Sequence, residues 1–326
     1  MKKIFVTGGG GYVGAVLIPK LLNENYEVTV LDLFIYGENV LQTHKNLKKI
    51  KGDIRDQVLL KECIKGSDIV IHLACISNDP SFELNPQLGK TINLDSFEPL
   101  VEISLKNNVK RFIYASSSSV YGVKKETDVT EDKSLEPLTD YSKYKVECEK
   151  ILHKYASDNF SPITIRPATV CGFSPRQRLD VVVNILTNLA FHKRNITVFG
   201  GEQLRPNIHI HDMVDAYLAL INAKKNLVHN EIFNAGFENQ KVINIAKIVK
   251  ENVGLDVKID IEESNDDRSY HISSKKIKNI LNFEPKKTID DAVKELIQAF
   301  EKKILVNTFN DDGFFNIKRM QNINMK

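Results

Sequence analysis

No apolar run in this chain approaches the ~18 residues needed to cross a bilayer, and no two of its four cysteines stand in a CxxC pair. The first shortage argues against a membrane-spanning helix, and the second argues against a zinc site or a dithiol redox centre. Cys63, Cys75, Cys148 and Cys171 are widely separated. The N-terminus opens straight into an apolar run, leaving no room for a signal peptide, so the expectation is reduced thiols and a cytoplasmic location. Cys63 and Cys148 read as packing residues. Charge of one sign is also scarce: the net value is +3 and the lysines are spread along the chain. Neither a nucleic-acid surface nor a membrane surface is therefore expected. With 42% hydrophobic and 27% charged residues, the composition is that of an ordinary globular protein, and 326 residues suggest two lobes, or one large α/β domain with an appended part.

What is present begins at the N-terminus. Ile4, Phe5 and Val6 lead directly into Thr7-Gly8-Gly9-Gly10-Gly11-Tyr12-Val13-Gly14. A strand that runs into closely spaced glycines and then a helix is where a dinucleotide-binding unit places its phosphates. One glycine turns the chain, one lets the backbone approach a pyrophosphate, and one packs the helix on the strand. The pyrophosphate then faces free N–H groups at the helix start. A glycine-rich turn alone is also what a flexible loop looks like, so the second half of the pattern decides. A second apolar run, Val28-Thr29-Val30-Leu31, ends in Asp32, 18 residues after Gly14 and close to the usual spacing of about 20. A carboxylate there accepts from both ribose hydroxyls and repels a 2′-phosphate, which favours NAD over NADP.

Further β-branched runs recur at Lys3–Thr7, 28–32, 47–53, 69–74, 112–117 and 163–168, with helical periodicity at 85–107, 141–156, 181–192, 211–222, Val242–Val253 and 289–302. This alternation predicts an α/β fold: a doubly wound parallel sheet of Rossmann type, covered on both faces, with a smaller C-terminal substrate-binding lobe. We expect residues 1–170 to form the NAD-binding domain, 206–236 to return to it through short strands at 205–212 and 231–236, and 171–205 with 237–305 to form the second lobe. Residues 306–326, rich in Asn and Lys, read as a loosely held tail that Phe309, Phe314 and Phe315 could dock.

Ligands of such a sheet gather beyond the carboxyl ends of its strands. There Phe112-Ile113-Tyr114-Ala115 runs into four serines, Ser116 to Ser119, and Tyr141 and Lys145 follow on a predicted helix, sharing one face at four-residue spacing. Tyr-x-x-x-Lys is a weak motif, and about one chance occurrence is expected here. The chain holds two, but Tyr121/Lys125 lies in a loop-like acidic stretch while Tyr141/Lys145 opens an amphipathic helix after Pro137 and Asp140. Oxidising an alcohol needs a base for its proton as the hydride leaves. A phenol of pKa about 10 must drop ~3 units, worth ~4 kcal/mol, to serve near neutrality. Lys145 and an oxidised nicotinamide are the expected source, with Tyr141 as base and Ser117 holding the same oxygen.

Taken together, the Thr7-to-Gly14 loop, Gly52-Asp53-Ile54-Arg55-Asp56, His72-Leu73-Ala74-Cys75, Asn93, Ser116 to Gly122, Tyr141 to Lys145, Arg166-Pro167-Ala168-Thr169-Val170-Cys171-Gly172 and Arg205 with Ile208-His209-Ile210-His211-Asp212 resemble an extended short-chain dehydrogenase/reductase of the nucleotide-sugar epimerase and dehydratase group. The resemblance implies catalysis by Ser117, Tyr141 and Lys145. It implies NAD contacts from Gly8, Gly11, Tyr12, Val13, Gly14, Asp32, Leu33, Asp53, Ile54, Leu73, Ala74, Cys75, Asn93, Tyr141, Lys145 and Pro167. In that pattern Asp53 and Ile54 border the adenine, Asn93 steadies the active-site water and Pro167 faces the nicotinamide. A nucleotide-diphosphate sugar would meet Ser117, Ser118, Thr169, Arg176, Arg178, Asn184, Arg205 and Arg268, guanidinium forks suiting phosphate oxygens. Arg268, beside Asp266 and Asp267, also suits a surface ion pair, and Arg176 and Arg178 are open to being solvated. Helices 85–107 and 141–156 would build the four-helix bundle of a homodimer.

The resemblance also narrows the reaction. Related 4,6-dehydratases carry Asp-Glu after the catalytic hydroxyl, and Ser118-Ser119 stand there instead. A 4-epimerase or a 4-dehydrogenase remains, and Thr169 in place of the usual Asn, with Ser174-Pro175-Arg176-Gln177-Arg178-Leu179-Asp180, resembles a subset linked to surface polysaccharide and capsule sugars, GDP-heptose 4-dehydrogenases among them. The 4,6-dehydratase and a non-catalytic NAD-sensing protein are the alternatives. No metal is expected: His209 and His211 would point one way from a structural strand. Cys75 and Cys171, near the expected pocket, read first as small buried hydrophobes.

Overall fold

The computed structural model describes residues 1–77, 79–126, 128–264 and 269–324. Six strands come first: β1 (Lys3–Thr7), β2 (Glu27–Asp32), β3 (Leu47–Lys51), β4 (Ile69–His72), β5 (Arg111–Ala115) and β6 (Ser161–Pro167). Three more follow outside that sheet, β7 (Thr169–Cys171), β8 (Asn195–Phe199) and β9 (Leu204–His209), before β10 (Glu231–Ala235) returns to it; β11 (Glu238–Lys241) and β12 (Lys258–Glu262) complete the set. The main sheet has seven strands in the order β3-β2-β1-β4-β5-β6-β10, and every neighbouring pair is parallel. Its side chains alternate as a pleat requires: Ile4 and Val6 enter one apolar core while Phe5 enters the other, and Ile113 is split in the same way from Phe112 and Tyr114. Both faces are thus covered by helices, which is why the strands read as unbroken apolar runs.

The strand order reverses between β1 and β4. A crevice opens at such a switch point because the connections leave the two strands toward opposite faces. The second lobe stands beside that crevice. There β9 pairs parallel with β7 and antiparallel with β11, while β8 pairs with β12. Helices Val182–Lys193, Val242–Val253 and Ile289–Glu301 close a separate core around Val183, Ile245 and Val293.

Several elements depart from expectation for local reasons. The stretch 205–212 does not join the main sheet: β9 pairs within the second lobe, and Asp212 falls in helix Ile210–Asn222, where its carboxylate accepts from Lys286 N and Lys287 N at 3.0 and 2.8 Å. The expected helix 85–107 is broken into Pro86–Lys90, a wide π turn at Thr91–Asp95, and Phe97–Lys106. The wide turn throws the Asn93 side chain inward. Residues 306–324 are no loose tail: Phe314 and Phe315 pack against the cluster of Leu179, Leu296, Phe300 and Leu305, Leu179 N donates to Phe314 O at 2.9 Å, and helix Asn316–Asn322 buries Met320. Aromatic docking outweighs the polar composition there.

Beneath the carboxyl end of the sheet lies an ion pair that the sequence did not announce. Arg166 on β6 meets Glu149 through a two-point fork, Nε to Oε1 at 3.0 Å and Nη2 to Oε2 at 2.6 Å, with both side chains below 5% exposed. The Ser116 hydroxyl donates to the same carboxylate. Removing one partner leaves a charge buried without compensation. Glu149→Ala is therefore expected to cost about 3–5 kcal/mol of folding stability, read by denaturant unfolding, whereas a loss below about 1 kcal/mol would show that the pair is not carrying that load.

Candidate active site

The crevice at the switch point is a cleft of about 590 Å³ lined from both lobes. Its floor is the glycine loop after β1. Gly8 sits at φ +73°, and a Cβ there would lie 2.5 Å from Ala74 N; at Gly14 one would lie 2.4 Å from Gly9 O. Only backbone can face a ligand at this point. Helix Gly14–Asn23 starts on Val13 with no side-chain cap; Ala15 N and Val16 N donate back to Gly11 O and Val13 O at 2.9 and 3.1 Å, and the N–H groups just ahead of them, at Tyr12 to Gly14, are the ones open to a ligand.

At one end of the cleft, the Asp32 carboxylate accepts from Gly10 N at 2.9 Å and Phe34 N at 2.7 Å, and burial raises its pKa against the pull of those bonds. Leu33, Asp53 and Ile54 line the same end. Burial tends to raise the Asp53 pKa, but its fork with Arg55 wins and holds it below the usual carboxylate range. Tyr12, Val13, Leu73, Ala74, Cys75 and Pro167 continue the lining. Asn93 does not reach it. Its amide is spent on the backbone of Ile76, accepting from the N–H at 2.8 Å and donating to the carbonyl at 2.9 Å, so it braces the loop after β4 from behind.

Ser117, Tyr141 and Lys145 converge at the other end. Thr139 caps helix Asp140–Lys154 through a reciprocal box with Ser142 and donates to Asp79, which fixes where the helix begins and puts Tyr141 in its first turn. Lys145 is buried, donates from Nζ to Ala115 O at 2.7 Å, and stands over the rings of Tyr114 and Tyr141 at 5.0 and 5.6 Å. The Ser117 hydroxyl is held by Ser119, accepting from its N–H at 3.1 Å and lying 2.9 Å from its Oγ. Burial pushes the Tyr141 phenol well above its ordinary range, Cys75 and Asp79 add to the rise, and Arg178 and Ser117 draw it down. The chain by itself does not make Tyr141 a base.

Ser118, Thr169, Arg176, Arg178 and Arg205 all line the cleft. Arg176 is not solvated: it is 3% exposed and stacks 3.5 Å over the Tyr36 ring. Arg178 is paired with Asp180 at 2.8 Å. Asn184 lies behind the wall, accepting from Gly172 N at 3.1 Å and donating to Tyr12 Oη at 3.0 Å, and so shapes the cleft without facing it. Arg268 lies outside the described residues. His211 sits in a helix rather than on the strand of His209; the rings stack at 5.3 Å and His209 meets Glu295 at 3.1 Å. Among the described residues no group of three His, Cys, Asp or Glu could hold a metal, and no helix is long and apolar enough to cross a membrane. The sequence reading missed Tyr36, Asp79, Asn316 and Met320, which also line the cleft. They belong to no local motif.

Residues 4–236 match the model of the NAD dependent epimerase/dehydratase family. This chain belongs to that family. Its cofactor is NAD, which the side-chain-free floor and the Asp32 carboxylate fit. This epimerase/dehydratase is 28% identical over 307 residues to an uncharacterized UDP-glucose epimerase, YtcB, of Bacillus subtilis, covering 89% of this chain and 95% of that one. It is 30% identical over 322 residues to UDP-glucuronic acid decarboxylase 1 of Arabidopsis thaliana, covering 93% of this chain and 71% of the relative. Among solved structures, UDP-glucose 4-epimerase of Thermotoga maritima with UDP-glucose is similar at a TM-score of 0.85 and 26% identity, over 93% of this chain and 100% of that one.

His72, at the end of β4, ties the site to the fold. Its Nδ1 meets Thr7 Oγ1 at 2.7 Å, and burial, with Lys145 adding, drives its pKa down to about 3. The unfolded chain therefore binds a proton near pH 6.5 that the folded chain refuses, so stability falls as pH drops from about 6.5 toward 3, by at most about 1.4 kcal/mol per unit from this group. His72→Gln is expected to flatten that part of a stability–pH curve measured by denaturant unfolding. An unchanged slope would remove His72 as its source.

Proposed function

We propose that this enzyme oxidises carbon 4 of a sugar carried on a nucleoside diphosphate, with Tyr141 as the base. The observation that supports this reading is the convergence of Ser117, Tyr141 and Lys145 at one end of a cleft whose other end carries Asp32. NAD bound there supplies the hydride acceptor and, when oxidised, a positive charge beside the phenol. That charge matters because burial alone holds Tyr141 protonated.

Tyr141 takes the proton of the carbon-4 hydroxyl while Ser117, its own hydroxyl oriented by Ser119, holds the same oxygen. Lys145 keeps its ammonium beneath both through Ala115 O. In the return step Tyr141 gives the proton back. Arg205, Arg178 and Thr169 are the candidates for the diphosphate and sugar. Ser118 and Ser119 offer no acid–base pair next to Ser117, which disfavours 4,6-dehydration. Likeness to UDP-glucose epimerases supports a UDP-sugar and a 4-epimerase outcome. A second reading, a dehydrogenase releasing the 4-keto sugar of a GDP-heptose, draws on Thr169 and the loop 174–180.

Chromatographic separation with mass analysis of products from UDP-, GDP-, dTDP- and CDP-sugars distinguishes them: a new peak of unchanged mass marks the epimerase, and loss of two hydrogens marks the dehydrogenase. Tyr141→Phe is expected to lower kcat by about 10²–10⁴-fold while NAD binding persists. Turnover at the parent rate would remove Tyr141 from the chemistry.

A further inference from the structure

The C-terminal segment does more than pack. β2 and β4 are the two neighbours of β1 in the sheet, so the loops that follow them stand on either side of the glycine loop that follows β1. Asn316 joins those two loops with one side chain. Its Oδ1 accepts from the Tyr36 hydroxyl, beyond β2, at 2.9 Å, and its Nδ2 donates to Ser77 Oγ, beyond β4, at 2.8 Å. A group bonded to both has to pass across the carboxyl end of β1, over the loop where a dinucleotide's phosphates rest.

Other contacts fasten the segment on each side of that crossing. Asn316 N donates to Asp180 Oδ2 at 2.8 Å in the second lobe, while Arg319 Nε donates to Ile35 O at 2.6 Å in the first. Met320 is buried against the sheet's helix layer and faces the cleft. The crossing also carries charge of the sign that phosphates need. Arg176 donates to Asn316 Oδ1 and lies flat on the Tyr36 ring, and its Nε has no hydrogen-bond partner among the described residues. A buried guanidinium without a carboxylate partner in contact is costly unless an anion comes to it.

We propose that residues 306–324 are a strap that retains NAD in its cleft, with Asn316 as the pin that closes it. The proposal rests on NAD occupying the cleft as described above. A cofactor held in this way is regenerated by the sugar it has just oxidised, which suits an epimerase, whereas a dehydrogenase would have to release the strap at every turnover.

The test is release of bound NADH, followed by its fluorescence after dilution into excess ADP-ribose. Asn316→Ala and, separately, Arg319→Ala should each speed release about tenfold, as expected for losing one or two hydrogen bonds of the closed state. Arg319 does not line the cleft, so its effect reports the strap and not direct contact, and it carries the test should Asn316→Ala fail to fold. Release at the parent rate from a folded Arg319→Ala variant overturns the strap alone. A parent chain that binds no NADH overturns both the strap and the functional reading beneath it.

Discussion

One hydrogen bond organises the catalytic end: Lys145 Nζ to the carbonyl of Ala115, 2.7 Å across the joint between a helix and the sheet. Ala115 is the last residue of β5, and the serines that follow it take their direction from where that strand stops. Lys145 sits one turn after Tyr141 on helix Asp140–Lys154. A buried ammonium needs an acceptor, and this one finds it in the backbone that leads to Ser117. Tyr141 and the backbone that leads to Ser117 are thereby locked to each other through a single cation, and displacement of either element would strand that charge.

Positive charge is distributed around the cleft in different states of compensation. Arg166 is fully matched by Glu149 and serves the fold below Ser116. Arg178 is matched by Asp180. Among the described residues Lys145 meets the Ala115 carbonyl and two aromatic faces, and Arg176 an amide, a carbonyl and an aromatic face. Lys145 stands over the Tyr141 ring, and Arg176 stands at the side chain of Asn316. The Arg166 pair holds the fold together, whereas the cations that line the cleft keep groups that face a ligand, Arg178 Nη2 and Arg176 Nε being without a hydrogen-bond partner among the described residues.

Much of this was legible in the chain order. Gly8 and Gly14 could be placed from spacing alone because their need is steric and local, and Asp32 could be placed because a strand ends where its apolar run ends. Tyr141 and Lys145 were legible since four residues on a helix define a face. The breaks came where a distant partner overrode local preference. Asn93 turned inward to hold Ile76, splitting a helix that its periodicity would have continued. Asn184 was drawn to Tyr12 and Gly172 behind the wall rather than to the cleft. The pKa of Tyr141, expected to fall with help from Lys145 and an oxidised nicotinamide, is instead raised by the protein around it, because burial depends on how much protein closes over the ring.

By itself, the sequence determined the sheet, the dinucleotide loop and the helix face that Tyr141 shares with Lys145, all of which depend on residue type at short, regular intervals. Tertiary structure alone decided the rest. A polar tail became a strap because Phe314 and Phe315 found an apolar cluster far away in sequence, and Asn316 became part of the cleft because two loops more than two hundred residues upstream stand one side chain apart. Such contacts have no period and no spacing. Phe314 and Phe315 could be named from the sequence as docking groups, but the cluster they meet and the two bonds of Asn316 exist only once the fold has brought distant residues together.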